Sequence, residues 1–539
     1  MKPKSIPIAA SVAAALTIAA IPPAAGQHST HEHSPQLGKV NFPVDCNPQA
    51  QQAFNLAMAY YHSFAWRQIR DAIDQVQKAD ASCGMAHWLR ALSLLDNPFT
   101  WPIPLTPKTM SEASAALDQA RQAGLKSQRE RDYVDALGTF FAAGADQPHR
   151  ARAKALEEAL ERVAQRYPDD KEAAILHALV VSVNFDPTDQ QFRNQLRAAS
   201  ILEPIFKEQP EHPGVAHYLI HSYDYPPIAH HGLDAARRYA RIAASAPHAQ
   251  HMPSHIFTRV GAWQDSVESN LASAAAAPPG AFERAHAYDY MAYAHLQMAQ
   301  DDGAQKAIAL MREVKPAENF AYAFAAAAIP ARLALERERW DEAARLELSP
   351  PAESFAWKRF PQAEAINAFA RGLGAAMLND APAVQAQLDR LGRLRDAMAA
   401  MKQPYWVEQI EIQSEVVRGL ALATAGKGDE AVATLRRAAD REDATQKHVV
   451  TPGPLVPARE ALGYRLLEQG KAAEALQEFE TTLKREPNRF RTVAGALQAA
   501  EQAGNRAKAA EHAARLLQIA SKADSERPQL AKAKALAQR

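Results

Sequence analysis

The chain predicts an all-α fold, a right-handed superhelix of stacked helical hairpins, and three observations carry that expectation. From Gln51 onward, Ala, Leu, Glu, Gln and Arg fill segments with a helical apolar period, and runs of β-branched residues long enough for strands are few. The segment 461–487 reads as a complete two-helix unit. Leu462 and Gly463 permit close helix contact, Leu466 fills the first helix, Ala475 and Phe479 interlock with it, and Pro487 ends the second. Finally, His217 and His221 sit four residues apart, His251 and His255 repeat that spacing, and the pairs are offset by 34 positions, the length of one tetratricopeptide repeat. Stacked tetratricopeptide-like hairpins make an α-solenoid whose first helices line a concave surface, the usual ligand face.

Taken in order, Lys2 and Lys4 precede an Ala-rich apolar stretch at 6–21, and Ala24-Ala25-Gly26 offers small residues at a cleavage point, so residues 1–26 read as a secretory signal peptide. The apolar run is shorter than the roughly 20 residues of a spanning helix, and no second candidate follows. The expectation is a periplasmic or secreted protein with no integral membrane segment after cleavage. Residues 27–45, with His28, His31 and His33, read as a flexible polar leader that could load metal. Cys46 stands just before a helix predicted over 48–62, and Cys83 just after its antiparallel partner over 67–78. Both fall at one end of a single hairpin, where an oxidising compartment favours a disulfide.

An N-terminal helical-repeat lobe with a His-rich groove is expected over 46–348, interrupted by an aromatic, proline-rich loop at 97–107 that holds Phe99 and Trp101. The stretch 349–361 reads as a linker, and 362–539 as a C-terminal tetratricopeptide lobe with a proline-rich loop at 449–457. Trp66, Trp88, Trp101, Trp263 and Trp340 read as packing residues. Lys+Arg and Asp+Glu both number 61, so the charge balance gives no footprint for nucleic acid or for an electrostatically held membrane.

Eight of the 19 histidines fall within 212–255, namely His212, His217, His221, His230, His231, His248, His251 and His255. Histidines one turn apart share a helix face, and a one-repeat shift stacks the second pair beside the first. Neutral imidazole binds transition metals, which makes His217, His221, His251 and His255 candidate ligands for Zn, Cu or Fe, with Asp224 and Asp289 as nearby oxygens. His177 and His286 fall in the same repeat slot and, with Tyr218, Tyr223 and Arg259, are candidate groove residues. Three readings stay open: metal binding, hydrogen bonding to a peptide, protein or small ligand in the groove, and general-base catalysis with Asp224 or Asp289 as orienter. No nucleophile elbow, phosphate loop, paired CxxC or HExxH is present in the sequence.

The strings HPGVAHYLIH at 212–221, HMPSHIFTRVG at 251–261, TPGPLVPARE at 451–460 and CGMAHW at 83–88 resemble a family of exported bacterial tetratricopeptide-repeat proteins over nearly the whole mature chain. The resemblance implies a repeat fold and an exported location; it implies no reaction, substrate or cofactor. Arg90 departs from the small-residue signature of such first hairpins. The leading expectation is a periplasmic tetratricopeptide-repeat binding or scaffold protein with a His-lined concave site. The alternative is a metalloprotein, or a metal-dependent enzyme, that uses the histidine pairs as ligands.

Overall fold

Helix formers with few β-branched runs fold as expected. The computed structural model, which describes residues 35–101, 105–142, 147–186 and 189–538, contains 26 α-helices, three short 3-10 turns and, among the described residues, no strand. Successive helices pair as antiparallel hairpins and stack into a right-handed α-solenoid. The expected signal peptide and the first part of the expected leader, through residue 34, lie outside the described residues, while Leu37 and Phe42 of its remainder are buried in the core. No described helix is long and apolar enough to cross a membrane.

The first hairpin consists of helices Pro48–His62 and Trp66–Ala79. The Asn47 side chain accepts the Ala50 N–H and Pro48 occupies the first turn, both strong start signals. Cys46 and Cys83 are disulfide-bonded, with Cα atoms 5.2 Å apart, so the two ends of the hairpin are tied as its antiparallel geometry requires. The clearest repeat, Ala458–Glu468 and Ala472–Arg485, continues into Phe490–Gln502. A Cβ at Gly463 or Gly495 would come within 2.8 or 2.5 Å of the Phe479 ring. Phe479 is fully buried, gripped between helices that only glycine lets approach this closely.

Two large hydrophobic clusters form, one from Leu37 to Phe257 and the other from Ala274 to Ala533. The packing boundary therefore lies near Trp263, not at 349–361. Phe355, Trp357 and Phe360 of that stretch are buried in the second cluster, and the Trp357 indole donates to the Pro350 carbonyl at 2.9 Å. An aromatic, proline-rich loop gains more by burying its rings than by spacing two lobes. Trp88 and Trp263 are buried, and Trp66, Trp101 and Trp340 pack against the clusters.

The array also closes on itself. Trp263 Nε1 donates to the Asn488 carbonyl at 2.9 Å, Asn488 Nδ2 donates to the Gly261 carbonyl at 3.1 Å, and Gln190 bonds to Ala444 and Gln446 across about half the sequence. The 445–457 loop reaches the end of helix Pro213–Tyr223, where Lys447 meets Asp224 at 3.3 Å. Four of the expected groove histidines, His217, His221, His251 and His255, are buried.

Two stability predictions follow from this packing. Gly495→Ala should lower the melting temperature at a cost of about 1–3 kcal/mol, because its Cβ must push the Phe479 ring; an unchanged melt would show that the ring can yield. Replacing Cys46 and Cys83 by Ser should cost about 2–4 kcal/mol, the usual range for a disulfide, read as a fall in melting temperature.

Candidate metal centre

The two histidine strings fold differently, and proline decides how. His212 caps helix Pro213–Tyr223, its ring accepting the Val215 N–H at 3.3 Å, and every residue of that helix is buried. Gly214 has to be glycine, since a Cβ there would lie 2.5 Å from His62 Nδ1. In the second string Pro253 cannot continue a helix without losing an amide donor. The chain therefore forms two short helices, Pro247–His251 and Pro253–Val260, joined at Met252 and ended by Gly261 with φ +70°. His251 closes one segment, and His255 stands in the first turn of the next.

Each predicted pair gains a third histidine from another helix. His217, His221 and His248 bring one nitrogen each to within 4.8 Å of one another, and so do His251, His255 and His286. The triads adjoin: the His221 and His255 ring centroids are 6.0 Å apart, and those of His248 and His251 are 6.4 Å apart. His217, His221, His251 and His255 are buried, while His248 and His286 are partly exposed. Phe99, from the proline-rich loop, stacks on His221 at 3.5 Å.

Hydrogen bonds fix which nitrogen of each ring is free. His217 Nδ1 donates to the His62 carbonyl at 2.7 Å, which leaves its Nε2 facing His248 Nε2 at 3.1 Å. His251 Nδ1 donates to Asn270 Oδ1 at 2.7 Å; the Asn270 amide is oriented by its own Nδ2 donating to the Ser266 carbonyl at 2.7 Å. His255 Nδ1 donates to Asp224 Oδ2 at 2.9 Å. With both Nδ1 atoms protonated, the Nε2 atoms of neutral His251 and His255 face each other at 3.0 Å as two lone pairs. His221 Nε2 is likewise buried without a hydrogen-bond partner.

Extra protons do not resolve the conflict. Burial and the neighbouring His255 push His251 down to about 3; burial lowers His255 despite Asp224; burial and neighbouring histidines hold His217, His221, His248 and His286 well below the usual imidazole range. A cation between the rings does resolve it. Two nitrogens on one tetrahedral ion at ~2.05 Å stand roughly 3.3 Å apart, close to the observed 3.0 and 3.1 Å.

The contrast with a third cluster is instructive. Glu172 accepts from His62 Nε2 at 3.0 Å and from His212 Nε2 at 2.8 Å, while His62 Nδ1 accepts the Tyr218 hydroxyl at 2.9 Å and His212 Nδ1 accepts the Val215 N–H. Every polar atom named there is satisfied with neutral rings and an ionised carboxylate. Burial works to raise Glu172, yet its two histidines hold it well below the usual carboxylate range. This network ties helices Pro48–His62, Lys171–Val183 and Pro213–Tyr223 together and needs no ion.

Several expectations are corrected. Asp224 stands behind His255 and lies in neither triad: Oδ1 accepts from Arg259 Nε at 2.8 Å, and Oδ2 accepts from His255 and, at 3.3 Å, from Lys447. Asp289 is fully buried against Arg332, at 2.7 and 3.4 Å, and lies in neither triad. Tyr218 serves the Glu172 network, and Tyr223 donates to Glu203 at 2.6 Å. His177, though buried, joins neither triad. His230 and His231 lie exposed on a 3-10 turn. His286 does join a triad. His248 was legible only as a member of the local cluster, and Asn270 and Lys447 gave no signal in the sequence.

Neither a protein-family model nor a curated protein sequence matches the chain. Solved structures similar to it include yeast Tom70 (10% identity, 91% of this chain and 89% of that chain, TM-score 0.31). Human IFIT1 in a dimer with PPP-AAAA is also similar (10%, 87% and 90%, 0.37), as is the APC/C hetero-tetramer Cut9-Hcn1 (11%, 91% and 90%, 0.31).

The triad histidines give the metal-free protein a defined acid response. Their folded pKa values lie below the ordinary 6.5, so the unfolded chain binds more protons below that pH and stability falls as pH drops through it, by up to about 1.4 kcal/mol per unit for each ring. Chelator-treated protein should melt markedly lower at pH 5.5 than at pH 7.5; equal melts would contradict the buried, neutral rings.

Proposed function

We propose that this protein is an exported α-solenoid that binds a pair of transition-metal ions, one held by His217, His221 and His248 and the other by His251, His255 and His286. The carrying observation is the His251–His255 contact, two imidazole lone pairs 3.0 Å apart with both far nitrogens already donating. In a buried site such a contact is repulsive unless an ion lies between. Carboxylate, amide and backbone-carbonyl partners behind ligating histidines are the usual outer support of a metal site, and here Asp224, Asn270 and the His62 carbonyl fill that place. An all-imidazole donor set suits Zn or Cu, and also Fe. Three protein ligands per ion leave a coordination position open to an exogenous group, the arrangement of reactive rather than purely structural sites.

The repeat array acts as the binding frame. A peptide lying along the histidines is disfavoured because His217, His221, His251 and His255 are buried, with Phe99 stacked on His221. Export is supported by the signal-like segment 1–26, the resemblance to exported repeat proteins and the Cys46–Cys83 disulfide.

Metal analysis of untagged protein after loading and dialysis should give two Zn or Cu ions per chain. His251→Ala should retain one, and the double variant His217→Ala, His251→Ala none, while both keep the helical circular dichroism of the parent. Loaded protein that holds no metal, or variants that hold as much as the parent, would remove the reading. Because ring protons compete weakly when the pKa is depressed, the ions should also stay bound at pH 6, below the point where free imidazole is half protonated.

A further inference from the structure

Beside the triads lies an open-mouthed cavity of about 110 Å³. Its body is aromatic and aliphatic: Phe324, Ile366, Phe369, Tyr405, Trp406 and Leu455 line it. Its histidine-side end carries Arg259 and Lys447, the same two cations that hold Asp224 behind His255. Lys447 is buried, and its ammonium has three donors, of which Asp224 takes one at 3.3 Å. Arg259 directs Nε and Nη2 to Asp224 and also lines the cavity.

Charge balance selects the occupant. Six neutral imidazoles bring no charge to two divalent ions, and Asp224, the carboxylate bonded to a triad, is already matched by Arg259 and Lys447. The loaded centre is therefore strongly cationic in a place screened from water, where an anion is favoured far more than in bulk solvent. The acidic side chains of the cavity are committed elsewhere. Asp443 pairs with Arg459 at 2.7 Å, Glu442 accepts the Ala458 N–H at 2.8 Å, and Glu486 accepts the Tyr293 hydroxyl at 3.4 Å. Burial pushes Glu442 up to about 7, so it does not oppose an incoming anion at full charge; burial also raises Glu486, against the pull of Arg259.

We infer that this cavity receives an organic carboxylate, its aromatic or aliphatic body packed on Trp406, Tyr405, Phe324 and Phe369 and its carboxylate group met by Lys447 and Arg259 at the edge of the metal pair. The inference rests on the two-metal reading and names the substrate class of that centre. A body-and-head ligand of this kind matches how small-molecule sites divide their work, with an apolar enclosure supplying affinity and a few charged groups fixing orientation.

The test uses the full mature protein loaded with zinc, whose content is measured on the same sample, and three probes of one shape: 3-phenylpropionate, 3-phenylpropanol and 3-phenylpropylamine. Binding is followed by calorimetry and by tryptophan fluorescence. The carboxylate should bind at least about tenfold more tightly than the alcohol or the amine, a difference of about 1.4 kcal/mol. Lys447→Met should erase most of that preference, whereas Lys447→Arg, which keeps a cation at Asp224, should retain it. Trp406→Phe, which keeps an aromatic wall, should remove most of the fluorescence change while calorimetry still detects the ligand. Two zinc ions with no preference for the carboxylate, or with a preference for the amine, would overturn the cavity assignment and leave the metal reading standing. Protein that retains no zinc would overturn both.

Discussion

Asp224 is the point on which the interior depends. It stands at the C-terminal cap of helix Pro213–Tyr223 and accepts from His255 and Arg259, one repeat later, and from Lys447 more than two hundred residues on. A carboxylate with negligible access to water is tolerable only when its charge is matched. Burial works to raise its pKa, yet Lys447, Arg259 and His255 together hold it well below the usual range. One ionised group thereby orients a histidine, fixes an arginine and draws the 445–457 loop across the hollow.

Two kinds of buried polar network sit within a few turns of each other and obey different logic. Around Glu172 the donors and acceptors match in number and direction, so neutral histidines satisfy the interior as protein groups should. In the adjoining triads they do not match, because the outer nitrogens are assigned to acceptors and the inner ones are left confronting each other. The same residue type thus closes one network completely and leaves ring nitrogens confronting each other in the other. The difference lies in what stands behind each ring, not in spacing along the chain.

This explains why the site was only partly legible in the sequence. The pairs His217/His221 and His251/His255 were visible because helical periodicity places residues four apart on one face. The third members of the triads were not: His248 reaches the earlier pair across a hairpin, and His286 comes from the following repeat. Asp224 and Asp289 looked alike as nearby oxygens, yet Arg332 captures one and three cationic or imidazole donors surround the other. The stretch 349–361 looked like a linker because prolines break helices, while its aromatic rings had a core to enter.

By itself the sequence determined what local physics determines: the helical class, the repeat length, the hairpin that places Cys46 beside Cys83, the glycines that admit Phe479, and the neighbourhood in which histidines gather. Each of these depends on residues within one or two turns, or on a single repeat. The tertiary structure alone decided which rings converge, which carboxylates stay free and whether the hollow is open. Those outcomes turn on contacts between residues far apart in the chain, such as Asp224 with Lys447, whose partners are selected by closure of the whole array and leave no mark on the sequence near either one.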